Sequence, residues 1–358
     1  MKPEKNICLV VPTIRENSFN DFVSRWKAIG LFNVVDLMVM EDNPTKTFKS
    51  ASEAKYHYCW EDIRKTLAEA EWIIPRRSDT VRSFAYLQAY KLGYKFIMTL
   101  DDDCYPTTDE DGLKYSGEAF VQEHLKNLEG KSRWFNTLNS VKPRGIPFYN
   151  TGKFEEVIVN HGLWTNVLDY DAPYQLANPI KEKFSFDNKI VPHGLYFPMC
   201  GMNVMWKAEA TILMYHLLMG KRVQIPYDED RSETDKDGLV KMQFDRFGDI
   251  WAGILMKKVA DRFNNSVTTG MPYIRHERAS NPFTNLKKEA NGIEVNEDLW
   301  QFVDSVNLSD AFSYETAYAQ LGKSMKEFTK LHPKYHAEHG DYFELLGEAM
   351  RLWSSLFR

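Results

Sequence analysis

Residues 95–104 read KFIMTLDDDC, a short apolar run that ends on Asp101, Asp102 and Asp103. A continuous apolar run of this length suits a strand buried on both faces of a sheet. Three carboxylates at the end of such a strand repel one another unless a cation or hydrogen-bond donors compensate them. Hard divalent cations prefer oxygen ligands and take one or two carboxylates together with substrate phosphates. The triplet therefore points to Mn²⁺ or Mg²⁺ holding a nucleotide diphosphate; the bland alternative is an acidic turn that only caps a strand. Alternation along the strand puts Asp101 and Asp103 on one face and Asp102 on the other.

Working outward, the same kind of run occurs at 7–11 (ICLVV) and 32–40, the latter ending at Glu41-Asp42. AEWIIP at 70–75 reads as a short third strand. Between them, Phe19, Phe22, Val23, Trp26 and Ile29 fall at helical spacing over 17–29. Ser78 is placed to cap a helix that runs to about Leu92, with Gly93 as its stop. This alternation predicts an α/β fold with a mostly parallel central sheet. Ligands on such sheets sit at the carboxyl ends of the strands. Those ends hold Pro12, Thr13, Ile14 and Arg15, then Glu41-Asp42, then the triplet.

The middle of the chain, 135–205, is expected to be loops with short strands, and 228–241 a charged surface loop. A helical pattern returns over 244–263. Past Gly292 the composition shifts to amphipathic segments at 297–303, 314–331 and 342–357. The expected division is therefore a catalytic domain, 1–292, and a helical C-terminal extension, 293–358. The amphipathic pattern of that extension suits a cover over the site, a homo-oligomer contact or a docked partner.

At 358 residues the chain has room for about two domains, and its 43% hydrophobic content supplies a sizeable core. The formal net charge of −5 leaves no basic footprint for nucleic acid. Cys8, Cys59, Cys104 and Cys200 form no CxxC pair, which excludes a zinc ribbon or thioredoxin-type motif. The first residues lack a signal-peptide core, and no run reaches the ~18 apolar residues of a membrane span. The expected setting is the cytoplasm. HExxH, Walker A, GxGxxG and a Ser-His-Asp order are all missing, which removes support for zincin, P-loop, dinucleotide and serine-hydrolase readings.

Arg15, Arg82 and Arg144 are candidate phosphate contacts, because a guanidinium binds phosphate bidentately; surface salt bridges are the alternative. PMCGMN at 198–203 reads as a tight turn in which Gly201 and Asn203 approach a ligand, or in which Gly201 serves only the turn. His161 and His276 are open cases, since a lone histidine is more often packed or exposed than a ligand.

The ordered series VVPTIR (10–15), IMTLDDDC (97–104), WFNTL (134–138), RGIPF (144–148), HGLW and DYDAP (161–173), FPMCGMN (197–203), GDIWAG (248–253) and GMPYIRHERASNPFTNLKKE (270–289) resembles the reversibly glycosylated polypeptides. That family includes plant UDP-arabinopyranose mutases. The resemblance runs from about residue 6 to 293; the segment 228–241 and the tail beyond Gly292 do not follow the plant pattern.

The resemblance implies a GT-A-like nucleotide-sugar-binding fold, a UDP-sugar substrate, Mn²⁺ or Mg²⁺, and self-glycosylation at an arginine. It implies Asp103, with Asp101 and His276, as metal ligands, Arg144 as the glycosylated or sugar-contacting residue, and Asp249 as the carboxylate facing the sugar. Gly248 stands where the plant proteins carry a first aspartate. Pro12, Thr13, Arg15, Asp42, Arg82, Asp101, Asp102, Gly201 and Asn203 are the expected substrate-binding set. The implied reaction is pyranose–furanose interconversion. The rivals are transfer of the sugar to an external glycan or lipid acceptor and a non-catalytic UDP-sugar-binding scaffold.

Overall fold

ICLVV becomes the heart of β1 (Ile7–Thr13), whose alternate residues serve opposite faces of one sheet: Cys8 and Val10 join one core cluster, and Ile7, Leu9 and Val11 the other. This is a computed structural model, and it describes residues 5–49, 51–132, 144–145, 154–177, 186–220, 222–224, 239–241, 244–278 and 280–358. In β2 (Asp36–Glu41) the same division recurs, with Met38 and Met40 on one side and Leu37 and Val39 on the other. A strand buried on both faces has no polar side to show, which is why these segments lack alternation in the sequence.

Helix α1 (Glu16–Ala28) lies between β1 and β2 and buries Phe19, Phe22, Val23 and Trp26. Next come β3 (Tyr56–Tyr58), α2 (Trp60–Leu67), α3 (Val81–Lys91), β4 (Phe96–Leu100), β5 (Cys104–Tyr105) and α4 (Gly117–Asn127). AEWIIP is not a strand. It lies in a 3-10 helix, Ala68–Ile73, and the Ile74 N–H caps it on the Glu71 carbonyl. Ser78 does not cap α3 either: its hydroxyl donates to the Pro75 carbonyl, and Thr80 is the residue before the helix.

The middle holds β6 (Lys131–Ser132), the long β7 (Phe154–Asn166), α5 (Ala172–Ala177), β8 (Lys189–Val191) and β9 (Asn203–Lys207). The expectation of short strands misses β7, 13 residues long. Most of the charged segment 228–241 lies outside the described residues; its end forms β11 (Leu239–Lys241), paired with β10 (Arg222–Gln224). Then follow α6 (Gly248–Arg262), β12 (Asn265–His276), α7 (Pro282–Ser305), α8 (Tyr314–Leu331) and α9 (Pro333–Ser355).

The main sheet runs β3-β2-β1-β4-β9-β7-β12-β5. Strands β3, β2, β1, β4, β7 and β12 point the same way, and β9 and β5 run against them. The expected α/β architecture with a mostly parallel sheet and a helical C-terminal part is thus the one observed. Two pairings place the site. Antiparallel β9 lies against β4, so the turn before Asn203 meets the end of β4. Strand β5 lies against the end of β12, matching Cys104 with His276.

The residue-292 boundary falls inside α7, which crosses it without a break. Helices α8 and α9 enter the same core cluster as α3 and α6, through Tyr318, Phe328, Phe343 and Trp353. They grip the segment after β9: the Trp353 indole N–H donates to the Ile212 carbonyl at 2.8 Å, and the Tyr342 hydroxyl to the Leu218 carbonyl at 2.8 Å. Among the described residues, no helix is long and apolar enough to cross a membrane.

Two histidines lock the sheet as neutral rings. His124 accepts from the Asn160 amide at Nδ1 (2.8 Å) and donates from Nε2 to the Asn203 Oδ1 (3.0 Å). His161 accepts the Cys200 N–H at Nε2 (3.0 Å), and its Nδ1 meets the Thr269 hydroxyl at 2.9 Å. Burial holds the His124 ring at about 3 and His161 at about 4. Both values lie below the ~6.5 of an unfolded chain. The unfolded state therefore takes up protons first as pH falls, and stability is full above pH ~6.5 and drains away below it. Denaturant unfolding at pH 7 and pH 5 is expected to show a loss of about 2 kcal/mol per histidine. His161→Gln keeps an acceptor for the Cys200 N–H and no longer titrates, so its loss over the same interval should be smaller by that amount.

Candidate functional site

A cleft of about 1260 Å³ opens at the carboxyl ends of β2, β4 and β12. The start of α3, Pro198, Met199, Cys200 and Met202, the start of α6 and α7 as far as Glu297 complete its walls, while Gly201 lies behind them. The aspartate triplet divides there as alternation predicts. Asp101 and Asp103 line the cleft, and Asp102 turns back into the protein. Asp102 accepts from the Thr13 hydroxyl at 2.5 Å and the Arg15 Nε at 3.0 Å. Arg15 also reaches Asp103 through Nη2 at 3.1 Å. Thr13, Arg15 and Asp102 thus tie the end of β1 to the end of β4, and none of the three lines the cleft.

Asp103 Oδ1 lies 3.9 Å from His276 Nε2. The other ring nitrogen, Nδ1, is 2.9 Å from the Val167 carbonyl, an acceptor only. That contact occupies Nδ1 as a donor and turns Nε2 toward Asp103. The pairing of β5 with β12 makes this meeting possible, because it sets His276 opposite the residue after Asp103.

Arg82 joins the two sides of the cleft. Its guanidinium is buried and touches Asp79 at 2.5 Å, Asp101 at 2.9 Å and the Gly201 carbonyl at 2.8 Å. Gly201 is required there: a Cβ would lie 2.8 Å from Arg82 Nη1 and 2.9 Å from His216 Cε1. The Gly201 N–H donates to Asp249 Oδ2 at 2.9 Å, and Asp249 Oδ1 accepts from the Ile250 N–H at 2.9 Å. Burial, reinforced by the negative charge of Asp79, raises the Asp249 carboxyl to about 6. Burial likewise raises Asp101, to about 7, against the pull of Arg82.

Asp42 lines the far end of the cleft and accepts from the Trp60 indole at 2.6 Å and the Arg77 backbone N–H at 3.1 Å. Burial still pushes its carboxyl above the usual range. Arg77 lies over the Trp60 ring, 5.1 Å from its centroid. Asn203 and Pro12 do not line the cleft; the Asn203 amide is spent on the Leu163 and Pro272 carbonyls. Arg144 is an exposed turn residue outside the cleft lining, and its neighbours from 146 and up to 143 lie outside the described residues.

The structure adds groups that the sequence reading did not single out. Asp79 reaches the cleft and holds the buried His216; Arg77 and Arg246, outside the quoted motifs, and Arg278 and Lys288, within the 270–289 segment, supply cations along the walls. Arg77 and Arg246 have left-handed backbones, φ 57° and 68°, a costly conformation for a side-chain-bearing residue that concentrates at functional sites.

The family model for "Reversibly glycosylated polypeptide" matches residues 2–358. It therefore spans both the segment 228–241, which was expected to depart from the plant pattern, and the C-terminal tail beyond the expected range of 6–293. Relatives include a probable UDP-arabinopyranose mutase 1 of Zea mays, 34% identical over 96% of this chain and 88% of its own. UDP-arabinopyranose mutase 1 of Arabidopsis thaliana is 34% identical over 96% of this chain and 90% of its own. Among solved structures, S. aureus TarS 1–349 aligns over 99% of this chain and 90% of its own, at 10% identity and a TM-score of 0.33. That likeness is too distant to carry an argument.

Removing one partner of a buried ion pair costs about 3–5 kcal/mol, because the other charge stays buried. Arg82→Met is expected to lose that much stability in urea unfolding. Arg15→Met, at a side chain 31% exposed, should lose markedly less. Equal losses would mean that Arg82 does not hold the site together.

Proposed function

The chain belongs to the reversibly glycosylated polypeptide family, and on that premise we propose that it is a metal-dependent mutase interconverting the pyranose and furanose forms of a UDP-sugar. The observation that carries this reading is the convergence, in one cleft, of Asp103 with Nε2 of His276 and of Asp249, a carboxyl raised by burial to about 6. Sequence relatives named as UDP-arabinopyranose mutases support arabinose as the sugar. We further propose a GT-A-like character for the fold, as the aspartates at the end of β4 suggest.

The donor set fits a hard divalent cation. One carboxylate and one imidazole at 3.9 Å leave most of a six-coordinate shell to water and substrate phosphate, as Mg²⁺ and Mn²⁺ prefer. Asp103 and His276 would hold the ion, and Asp101 lines the cleft beside them. Among the described residues, no three His, Cys, Asp or Glu side chains gather into a metal cage. When bound, the ion supplies charge that stabilises the departing diphosphate.

The remaining chemistry belongs to the side chains. Ring exchange breaks the anomeric C–O bond to the diphosphate, and its electron pair leaves with UDP. The 4-hydroxyl oxygen bonds to the anomeric carbon as the old ring oxygen lets go. One proton moves between those two oxygens, and UDP recaptures the anomeric carbon. A carboxyl near 6 can hold and return that proton at neutral pH, the role assigned to Asp249. The Gly201 N–H and the first turn of α6 keep it oriented.

Self-glycosylation is assigned to Arg144, whose guanidinium, a donor with no acceptor, is by itself a weak nucleophile. Arg144→Ala is expected to abolish labelling of the protein by radioactive UDP-sugar, and undiminished labelling would remove that assignment.

Purified protein incubated with UDP-arabinopyranose and Mn²⁺ is expected to form UDP-arabinofuranose, resolved by chromatography. Formation should stop in chelator and fall about 10–100-fold in Asp103→Asn or His276→Gln, the scale of losing a metal-orienting group. Net UDP release with a glycosylated acceptor, and no furanose, would replace the mutase with a transferase.

A further inference from the structure

Asp79 and His216 belong to no recognised motif, yet they meet inside the cleft wall. Asp79 precedes α3, and its side chain is 26% exposed to the cleft, whereas the His216 ring is buried. The His216 Nδ1 hydrogen-bonds Asp79 Oδ2, and Arg82 binds Asp79 Oδ1 at 2.5 Å. The backbone holds the histidine tightly. Its N–H donates to the Ser83 hydroxyl at 3.0 Å, its carbonyl accepts from the Thr80 hydroxyl at 3.3 Å, and the next residue, Leu217, has a left-handed φ of 56°. Its ring packs edgewise on Tyr86, and its buried Nε2 has no hydrogen-bond partner among the described residues.

Gly248 brings this pair beside Asp249. A Cβ on Gly248 would stand 2.6 Å from the His216 carbonyl and 3.5 Å from Asp79 Oδ2. The first residue of α6 is thus bare where the Asp79 carboxylate approaches, and the second residue is Asp249. The two carboxylates differ in state. Burial works against charge at Asp79, but Arg82 and then His216 outweigh it and hold that carboxyl below its usual range, whereas Asp249 is raised. Two acidic groups driven apart in this way divide the labour of a site, one remaining an anion and the other able to take up and return a proton.

Resting on the mutase reading, we propose that Asp79 is a further catalytic residue, contacting the sugar ring beside Asp249, and that His216 is its positioning residue. Asp79 takes part in no bond exchange. It stays a carboxylate while the anomeric C–O bond breaks, and its charge opposes the positive charge shared by the anomeric carbon and the ring oxygen. His216 fixes which way that carboxylate faces.

The test compares Asp79→Asn, His216→Asn and His216→Leu with the unmodified protein, measuring UDP affinity by calorimetry and UDP-sugar turnover by chromatography. Asp79→Asn is expected to keep UDP affinity within about twofold and to lose about 100-fold in kcat with little change in KM, the scale of removing one transition-state charge contact. His216→Asn retains an amide donor near the Nδ1 position and should keep most of kcat, whereas His216→Leu should fall toward Asp79→Asn. If the leucine variant does not fold, the other two variants decide.

Unchanged kcat in Asp79→Asn, or a parallel loss of UDP affinity, would overturn the proposal; so would a His216→Asn variant no better than Asp79→Asn. If the unmodified protein releases UDP without forming a furanose, the mutase reading fails alone, and the same comparison is made on UDP release. No turnover at all of UDP-arabinopyranose, by either measure, would overturn both.

Discussion

The buried guanidinium of Arg82 is the constraint on which the cleft depends. One side chain on α3 binds Asp79 before its own helix, Asp101 at the end of β4 and the carbonyl of Gly201 in the turn before β9. Burying a charge is unfavourable unless it is paired; two carboxylates and a carbonyl answer this one, while its Nε has no hydrogen-bond partner among the described residues. The end of β4, the helix start and the turn are therefore held relative to one another by the same ion. Asp249 follows at one remove, since it binds the N–H of the residue whose carbonyl Arg82 holds. Pre-set electrostatics of this kind need no rearrangement when charge develops in a substrate.

A second clasp works beside it. Arg15 and Thr13 draw Asp102 inward, which leaves Asp103 as the member of the triplet that faces His276. The consecutive aspartates thus serve three separate tasks: one is bound to α3, one stitches two parallel strands together, and one is presented to the cleft.

Much of the sheet was legible because β1, β2 and β4 are continuous apolar runs, and period-2 alternation correctly sorted Asp101 and Asp103 from Asp102. AEWIIP shows where that signal fails. A short apolar run serves a 3-10 turn as well as a strand, and nothing local separates the two. YHY at β3 is too short and too polar to stand out. His276 could be matched to the triplet only through family resemblance, because the β5–β12 pairing that joins them is a long-range event. Asp79 and His216, 137 positions apart, were invisible for the same reason, as was the choice of Thr80 over Ser78 at the start of α3. The composition change at Gly292 is real, but α7 crosses it because it lines the cleft as far as Glu297 and its second half enters the shared core.

That continuity bears on how the molecule comes apart. The helices after β12 complete the core that α3 and α6 use, and Tyr342 and Trp353 bond directly to the carbonyls flanking the segment of His216. A cut near residue 292 would sever a helix in mid-course, strip apolar surface from both pieces and loosen a wall of the cleft. Among the described residues, the tail shares the core of α3 and α6, and the 292 boundary falls within α7.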